Sequence, residues 1–162
     1  MDYLKIKRAI EGYCKEFRRN DLPPLQVLEG LYDLFPDRGG RLDAVLAWPS
    51  TYKHNGAGVY CLFDARGALL YIGKASMGSN LGFRLNKYFQ YQKDGSKNCR
   101  FIKEDWLVEP EYLMTIEVPR GIEFEAASLE EYLIRKLNPP QNKQGKSKGN
   151  QKGDNQKGDI VL

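Results

Sequence analysis

The chain has 162 residues, is 41% hydrophobic and 28% charged, and carries a formal net charge of +4 at pH 7. This length is enough to bury a core and fits one domain with an appendage. The three cysteines, Cys14, Cys61 and Cys99, are far apart and lack C-x-x-C spacing, which argues against a disulfide framework and a zinc finger. Because no apolar run could span a bilayer and the charged N-terminus is unlike a signal peptide, the sequence predicts a soluble, cytoplasmic protein.

Positive and negative charges are segregated along the chain. Residues 84 to 103 carry several lysines and arginines against one acid, Asp94, whereas residues 104 to 131 carry nine carboxylates against one cation, Arg120. Segregation of this kind is expected when one face of a protein meets a polyanion.

Three helices are predicted in the N-terminal segment. Residues 2–19 form an amphipathic helix with Ile6, Ile10, Tyr13 and Phe17 on its apolar side. A second helix is predicted to start at Pro24 and end at Pro36, with an apolar stripe of Leu28, Leu31, Tyr32 and Phe35. A short third helix is predicted over 41–48.

The second of these helices is a poor candidate for a DNA-reading helix. It carries Glu29 and Asp33 and little positive charge, whereas a recognition helix that faces phosphates should be basic or polar. Packing of the N-terminal segment against the following domain is the favoured role.

A β-hairpin is predicted over residues 58–73, with a turn of even length centred on Ala65-Arg66. Such a turn places Tyr60 opposite Tyr71. Side-chain alternation then gives one face to Val59, Cys61, Phe63, Ala68, Leu70 and Ile72, and the other face to Tyr60, Leu62, Leu69 and Tyr71. The two tyrosines fit a stabilising cross-strand pair as well as a functional role.

The rest of the chain reads as loop, helix, loop, strand and helix. Ser79 or Asn80 caps a helix over 81–91, which places Arg84 and Tyr88 on one side, and a basic loop follows over 92–99. Residues 111–118 form a strand with one face of Tyr112, Met114, Ile116 and Val118. The last helix covers 123–137.

Glu130 is the most informative residue of that last helix. It falls in the middle of the apolar sector, whose other members are Ala126, Ala127, Leu133, Ile134 and Leu137, whereas Glu131 points to the solvent-exposed side. A carboxylate in this position is costly unless a partner compensates it. Glu130 is therefore either a member of an ion pair or a rim residue, or else a metal ligand or catalytic carboxylate in a cleft.

Composition divides the chain into three parts. Residues 1–55 are predicted to be a helical extension and residues 56–142 the main domain. Residues 143–162 are rich in Gly, Asn, Gln and Lys, cannot bury a core and are predicted to form a disordered basic tail.

The order Gly58-Val59-Tyr60, Tyr71-Ile72-Gly73-Lys74, Arg84, Tyr88, Glu130 and Asn142 resembles the GIY-YIG nuclease family. The chain is most similar to the nuclease domain that makes the first cut in bacterial nucleotide excision repair, over about residues 57–142. The resemblance implies an α+β fold, a small antiparallel sheet flanked by helices. Two departures are Val59 in place of the usual isoleucine and a longer loop between Gly73 and Arg84.

The resemblance also implies a metal-dependent hydrolysis of DNA. Glu130 would hold one Mg²⁺ or Mn²⁺ ion per active site, and Arg84 would neutralise the scissile phosphate. Tyr71 or Tyr60 would activate or orient water, Tyr71 being the commoner general base. A phenol with a pKa of about 10 is a poor base near neutral pH, so Lys74 is expected to favour the phenolate.

The remaining expected site residues support the reaction or contact the nucleic acid. Tyr88 would bind phosphate or support Arg84, and Asn142 would orient the Glu130 region by hydrogen bonds. The residues expected to contact DNA are Lys74, Arg84, Lys87, Lys93, Lys97 and Arg100. His54 matches no family position and is interpreted as an ordinary loop histidine.

Two alternatives remain beside a DNA endonuclease: a non-catalytic DNA-binding module of the same fold and an RNA-directed nuclease. The sequence leaves DNA specificity, oligomeric state and biological setting open, with repair, restriction or defence, and mobile-element roles all compatible.

Overall fold

The computed structural model describes residues 2–39, 42, 46–47 and 54–143. The elements in chain order are α1 (Asp2–Phe17), β1 (Gln26–Val27), β2 (Tyr32–Asp33), a 3₁₀ turn (Pro36–Arg38), β3 (Leu46–Ala47), β4 (Gly58–Phe63), β5 (Leu69–Ala75), α2 (Leu81–Leu85), β6 (Phe89–Tyr91), β7 (Cys99–Phe101), β8 (Tyr112–Glu117) and α3 (Glu125–Leu137). The predicted α+β class is confirmed. The part of the predicted tail from 144 onwards lies outside the described residues.

One mostly antiparallel sheet forms the centre of the molecule. Its strands are ordered β3-β2-β8-β4-β5, and β1 pairs with β8 on the same side as β2. Strand β5 is therefore at an edge. Strands β6 and β7 form a separate antiparallel pair. Within the described ranges, no helix is both long enough and apolar enough to cross a membrane.

The sheet has an apolar core on each side. Helices α1 and α3 cover one face, where the buried residues include Ile6, Ile10, Val59, Cys61, Ile72, Met114, Leu129 and Leu133. Helix α2 and the β6-β7 pair cover the other face, where the buried residues include Tyr60, Leu62, Leu81, Leu85, Phe89 and Leu113. Alternation along β8 sends successive side chains to the two cores, as predicted for this strand.

The first and last helices agree with the sequence prediction. In α1, Ile6, Ile10 and Tyr13 are buried against α3, while Phe17 at the end of the helix is exposed. The expected packing of the N-terminal helix against the rest of the molecule is thus observed.

The predicted second helix is wrong. Residues 26–27 and 32–33 are short strands that pair with β8, and the Leu28 and Leu34 amides donate to carbonyls of the β8 region over 3.0 and 2.9 Å. Helical spacing of apolar residues was misleading here because pairing with a central strand satisfies the same backbone groups. Of the predicted third helix, residue 42 lies in a bend and residues 46–47 form a strand parallel to β2, while residues 41, 43–45 and 48 lie outside the described residues.

The predicted hairpin exists, but its register is wrong. Tyr60 pairs with Gly73 and Tyr71 pairs with Leu62. The turn has three residues rather than an even number, because Gly67 adopts a positive φ of 78°. A bulge at Leu70 then shifts the pairing by one further residue.

The turn and the bulge together move the strand pairing by two residues. Because a shift by an even number leaves each side chain on its original face, Tyr60 and Tyr71 lie on the same face of the sheet, as predicted. Leu69 lies between the two shifts and therefore belongs to the opposite core with Phe63 and Ile72. Ala68, predicted to be on the apolar face, is exposed.

Helix α2 is shorter than the predicted 81–91. The Asn80 side chain caps it by accepting a hydrogen bond of 2.7 Å from the Phe83 amide. The helix ends at Leu85, and Phe89–Tyr91 is a strand because its backbone pairs with β7. Tyr88 consequently lies in the turn between helix and strand.

Candidate active site

Five aromatic rings pack together on the face of the sheet that α2 covers: Tyr60, Tyr71, Tyr88, Phe89 and Trp106. The centroid of the Tyr60 ring is 6.2 Å from that of Tyr71 and 6.0 Å from that of Tyr88. The Tyr60 hydroxyl donates a hydrogen bond of 3.2 Å to the Tyr88 hydroxyl. The cluster places three phenol groups within one region of the molecule.

The environments of Tyr60 and Tyr71 differ. Tyr60 is fully buried, and this burial, with the neighbouring phenols Tyr88 and Tyr71, raises its pKa far above the ordinary value. Tyr71 is only partly buried and lines a surface cleft, and burial followed by its neighbours raises its pKa to about 12. Both are neutral phenols at pH 7, and Tyr71 alone of the two faces a cleft.

Lys74 does not act on Tyr71 as the sequence suggested. Its ammonium group forms an ion pair with Glu130 of α3. The carboxylate of Glu130 contributes to raising the pKa of Tyr71, after the larger effects of burial and of Tyr88. In this structure the phenolate form of Tyr71 is therefore disfavoured, and the charge of Lys74 is neutralised by Glu130.

Glu130 lies at the edge of the buried face of α3 rather than at its centre. The sequence analysis left out Leu129, which is fully buried and moves the centre of that face away from Glu130. Ala127, which was placed in the apolar sector, is exposed. The Glu130 side chain is 17% exposed, so its carboxylate can reach solvent while it pairs with Lys74.

Two adjoining clefts meet at Lys74 and Glu130. The smaller, of about 270 Å³, is also lined by Arg84, Ala75, Ser76 and Ser79. The larger, of about 540 Å³, is also lined by Tyr71, Lys103, Asn142 and several residues of α3 and the segment after it. The structure thus brings five predicted site residues, Tyr71, Lys74, Arg84, Glu130 and Asn142, to one continuous surface, with Tyr60 and Tyr88 behind it.

One donor of Arg84 lacks an acceptor among the described residues, although the Arg84 side chain also interacts with that of Tyr60 by hydrogen bonding. Its Nε atom is buried and has no hydrogen-bond partner among them. The guanidinium carbon lies 5.6 Å from the centroid of the Tyr88 ring. Tyr88 therefore supports Arg84 through its ring while its hydroxyl accepts the hydrogen bond from Tyr60.

Asn142 binds the edge strand rather than the Glu130 region that the sequence analysis assigned to it. Its Oδ1 accepts a hydrogen bond of 2.9 Å from the Ile72 amide, and its Nδ2 donates one of 2.8 Å to the Ile72 carbonyl. The Gln141 amide donates to the Leu70 carbonyl over 3.0 Å. These bonds close the open edge of β5 next to Tyr71.

The other predicted nucleic-acid contacts lie away from the clefts. Lys87, Lys93, Lys97 and Arg100 are exposed on the turn after α2 and on the β6-β7 hairpin, and none of these four lines either cleft. Lys103, which lines the larger cleft, and Trp106, which packs against Tyr71 and Tyr88, were not predicted to belong to the candidate site. In the sequence, the one indication of a role for Lys103 is its position at the end of the basic segment 84–103.

His54 belongs to a hydrogen-bonded network, although it lies in a loop as expected. Its Nδ1 is 2.9 Å from a carboxylate oxygen of Glu117, and its Nε2 is 3.1 Å from the Tyr32 hydroxyl. These contacts connect the loop before β4 with β2 and β8, so the histidine has a structural role.

Comparisons with known proteins identify the family of this part of the chain. A family model described as the UvrC-like GIY-YIG domain matches residues 56–143, more than half of the chain. UvrABC system protein C of Alcanivorax borkumensis is 44% identical over 85 residues, which cover 52% of this chain and 12% of that protein. The protein of the same name from Legionella pneumophila (strains Lens and Paris) is 36% identical over 102 residues, which cover 63% of this chain and 15% of that protein.

The match to these relatives thus spans less than a sixth of their length. No solved structure gives a significant match to the chain. The family model nevertheless covers both strands of the hairpin, α2 and α3, which are the elements that carry Tyr71, Lys74, Arg84 and Glu130. The chain accordingly belongs to the UvrC-like GIY-YIG family of endonuclease domains.

Proposed function

We propose that the protein is a divalent-metal-dependent endonuclease that hydrolyses phosphodiester bonds in DNA. The observation that carries this proposal is the meeting of Lys74, Arg84 and Glu130, from β5, α2 and α3, on the wall of one cleft. Hydrolysis of a phosphodiester requires a charge clamp, an activated water and help for the leaving oxygen. The smaller cleft offers Arg84 for the charge clamp and Glu130 as a ligand for a metal ion, and the adjoining larger cleft offers Tyr71 for the water.

Arg84 is assigned to the scissile phosphate. The unpaired and buried Nε needs an acceptor, and a phosphate oxygen satisfies it with a charge-assisted hydrogen bond. As negative charge increases on the phosphate oxygens in the transition state, this bond becomes stronger. The ring of Tyr88 holds the guanidinium in place.

Glu130 is assigned to the metal ion. Among the described residues, no three His, Cys, Asp or Glu side chains converge, so the protein offers a single carboxylate at this cleft and not a cage. This fits Mg²⁺ or Mn²⁺, which bind through one or two carboxylates together with substrate phosphates and water. Such an ion, when bound, supplies positive charge beside the reacting phosphate. Lys74 must then share Glu130 or move to the phosphate.

Tyr71 is assigned to the attacking water. Tyr71 lines the larger cleft and its hydroxyl is neutral near pH 7, so in the free protein it would orient water by hydrogen bonding. Removal of its proton requires additional positive charge nearby. Lys74 offers that charge once substrate binding separates its ammonium group from Glu130. Tyr60, which is fully buried, acts through Tyr88 and does not touch the substrate.

A nicking assay tests the proposal. Supercoiled plasmid, linear duplex, branched DNA, single-stranded DNA and a matched RNA are incubated with Mg²⁺, with Mn²⁺ and with a chelator. Glu130→Ala and Arg84→Ala should each abolish cleavage, and the exposed α1 substitutions Glu16→Ala and Arg8→Ala, as charge-matched controls, should leave it unchanged. Full activity of Glu130→Ala, or cleavage that persists in the chelator, would refute the metal assignment.

A further inference from the structure

Leu107 is the most exposed large hydrophobic side chain among the described residues, at 86%. The adjacent Val108 is also exposed, at 48%. A single exposed leucine is ordinary on a protein surface and does not by itself indicate a function. What distinguishes Leu107 is its position near the larger cleft.

Both neighbours of Leu107 are fixed to the wall of the larger cleft. Before it, the Trp106 ring makes edge contacts with Tyr71 and Tyr88, at centroid distances of 6.2 and 5.8 Å. After it, the Val108 carbonyl accepts a hydrogen bond of 2.9 Å from the side chain of Gln141, a residue that lines that cleft. Leu107 is therefore held between two residues that contact the wall of the larger cleft.

The larger cleft carries both charges. Three lysines, Lys74, Lys103 and Lys143, line it together with Glu130 and Glu131, and Lys74 is paired with Glu130. The ammonium group of Lys103 lies 4.7 Å from the centroid of the Trp106 ring and 3.7 Å from a carboxylate oxygen of Asp105. A lysine next to an apolar tip matches the chemistry of a DNA strand, in which phosphates alternate with stacked bases.

We propose that Leu107 is a wedge that enters a base step next to the scissile phosphate and unstacks it, while Lys103 holds the neighbouring phosphate. This inference rests on the proposed DNA endonuclease and defines its substrate class. Insertion of an apolar side chain separates neighbouring bases and kinks the duplex, which gives the backbone access to a recessed site. DNA that is already opened, such as a fork or a bulge, needs no wedge.

Cleavage rates on paired substrates provide the first test. We expect Leu107→Ala to cut intact duplex about tenfold more slowly than the wild type, because the cost of unstacking is no longer offset. The same variant should cut a forked duplex at the wild-type rate. Leu4→Ala, which removes an exposed leucine from α1, should match the wild type on both. Equal rates for Leu107→Ala and the wild type on intact duplex, or equal losses on both substrates, would overturn the proposal.

A binding experiment tests the wedge without cleavage. Duplexes that carry 2-aminopurine at successive steps are titrated with Glu130→Ala protein, and unstacking is read as a rise in fluorescence. The rise should be lost in Glu130→Ala/Leu107→Ala and kept in Glu130→Ala/Leu4→Ala. Bound duplex without any rise would overturn the wedge, even if the wild type cuts DNA. A normal rise with no cleavage of any DNA by the wild type would support the wedge and reject the nuclease.

Discussion

The ring of Tyr60 lies directly against the α-carbon of Gly73, its cross-strand partner. A Cβ atom at position 73 would be 2.4 Å from the Tyr60 hydroxyl oxygen and 2.9 Å from a ring carbon of Tyr71. The glycine thus allows both tyrosines to occupy one face of the hairpin at close range.

Gly73→Ala should therefore destabilise the protein by about 1–3 kcal/mol, in the range of overpacking in a core. Because the added methyl group must move the phenol rings, cleavage activity should fall as well. Denaturant unfolding measures the first effect and plasmid nicking the second. In a double-mutant cycle, Tyr60→Leu should reduce the cost of Gly73→Ala, and strict additivity of the two substitutions would contradict the contact.

The two hydrogen bonds between Asn142 and Ile72 predict an effect on the edge strand. Asn142→Ala leaves the amide and carbonyl of Ile72 without their partners, which should cost about 1–3 kcal/mol. The Ile72 amide should exchange with solvent much faster than in the wild type, and this is measured by hydrogen exchange. Asn20→Ala, in the exposed turn after α1, serves as the control. Unchanged protection at Ile72 would show that Asn142 does not hold the strand.

The ion pair between Arg18 and Glu125 predicts a large stability effect far from the cleft. Arg18 follows α1 and binds both carboxylate oxygens of Glu125 in the first turn of α3, at 2.7 and 3.3 Å, with both side chains nearly buried. Arg18→Ala leaves a buried carboxylate uncompensated and should cost about 3–5 kcal/mol.

A surface ion pair gives the matched comparison for Arg18. Lys7 binds Glu29 over 2.8 Å, but the Glu29 side chain is largely exposed. Lys7→Ala should change the free energy of unfolding far less than Arg18→Ala, because an exposed ion pair contributes little to stability. Similar losses for Arg18→Ala and Lys7→Ala in denaturant unfolding would show that burial of the first pair has no energetic consequence.

The raised pKa of Tyr71 predicts a loss of stability at alkaline pH. Burial, as the largest cause, raises the pKa to about 12 in the folded state, whereas an unfolded tyrosine titrates near about 10. Between these values the folded protein binds more protons than the unfolded chain, so the free energy of unfolding must fall as pH rises. Below about pH 10 this group has no such effect.

Tyr71→Phe removes this contribution, and unfolding free energies measured from pH 8 upwards should fall less steeply than in the wild type. Tyr91, whose pKa burial also raises to about 12, lies on β6 and offers a comparison outside the cleft. Tyr91→Phe should reduce the slope similarly while leaving nicking activity intact. An unchanged slope in Tyr71→Phe would contradict the assigned environment.

The central strand and the long helices were predictable because their apolar periodicity coincides with their final packing. The segment around β1 and β2 was not, because Leu28, Leu31, Tyr32 and Phe35 fit a helix equally well and only the presence of β8 selects the extended form. The hairpin register escaped prediction for a local reason. One left-handed glycine and one bulged leucine each move the pairing by a residue.

Within the candidate site, the sequence identified the residues of the cleft wall but not their partners. Glu130 was found from its position on an apolar face, yet its pairing with Lys74 depends on how α3 crosses the edge of β5. Lys103 and Trp106 could not be placed, because the long irregular segment between β7 and β8 has no periodicity to read.

The packing of α1 against α3 bears on where the protein can be divided. The family match begins at residue 56, but Ile6, Ile10 and Tyr13 share one buried core with Leu133 and Ile134 of α3. A fragment that starts at residue 56 would leave that surface of α3 in water, at a cost of about 1.5–3 kcal/mol for each large apolar side chain exposed. The segment that the family model matches, residues 56–143, is thus shorter than the segment that folds as one unit. We therefore expect that a minimal nuclease fragment of this chain has to retain α1.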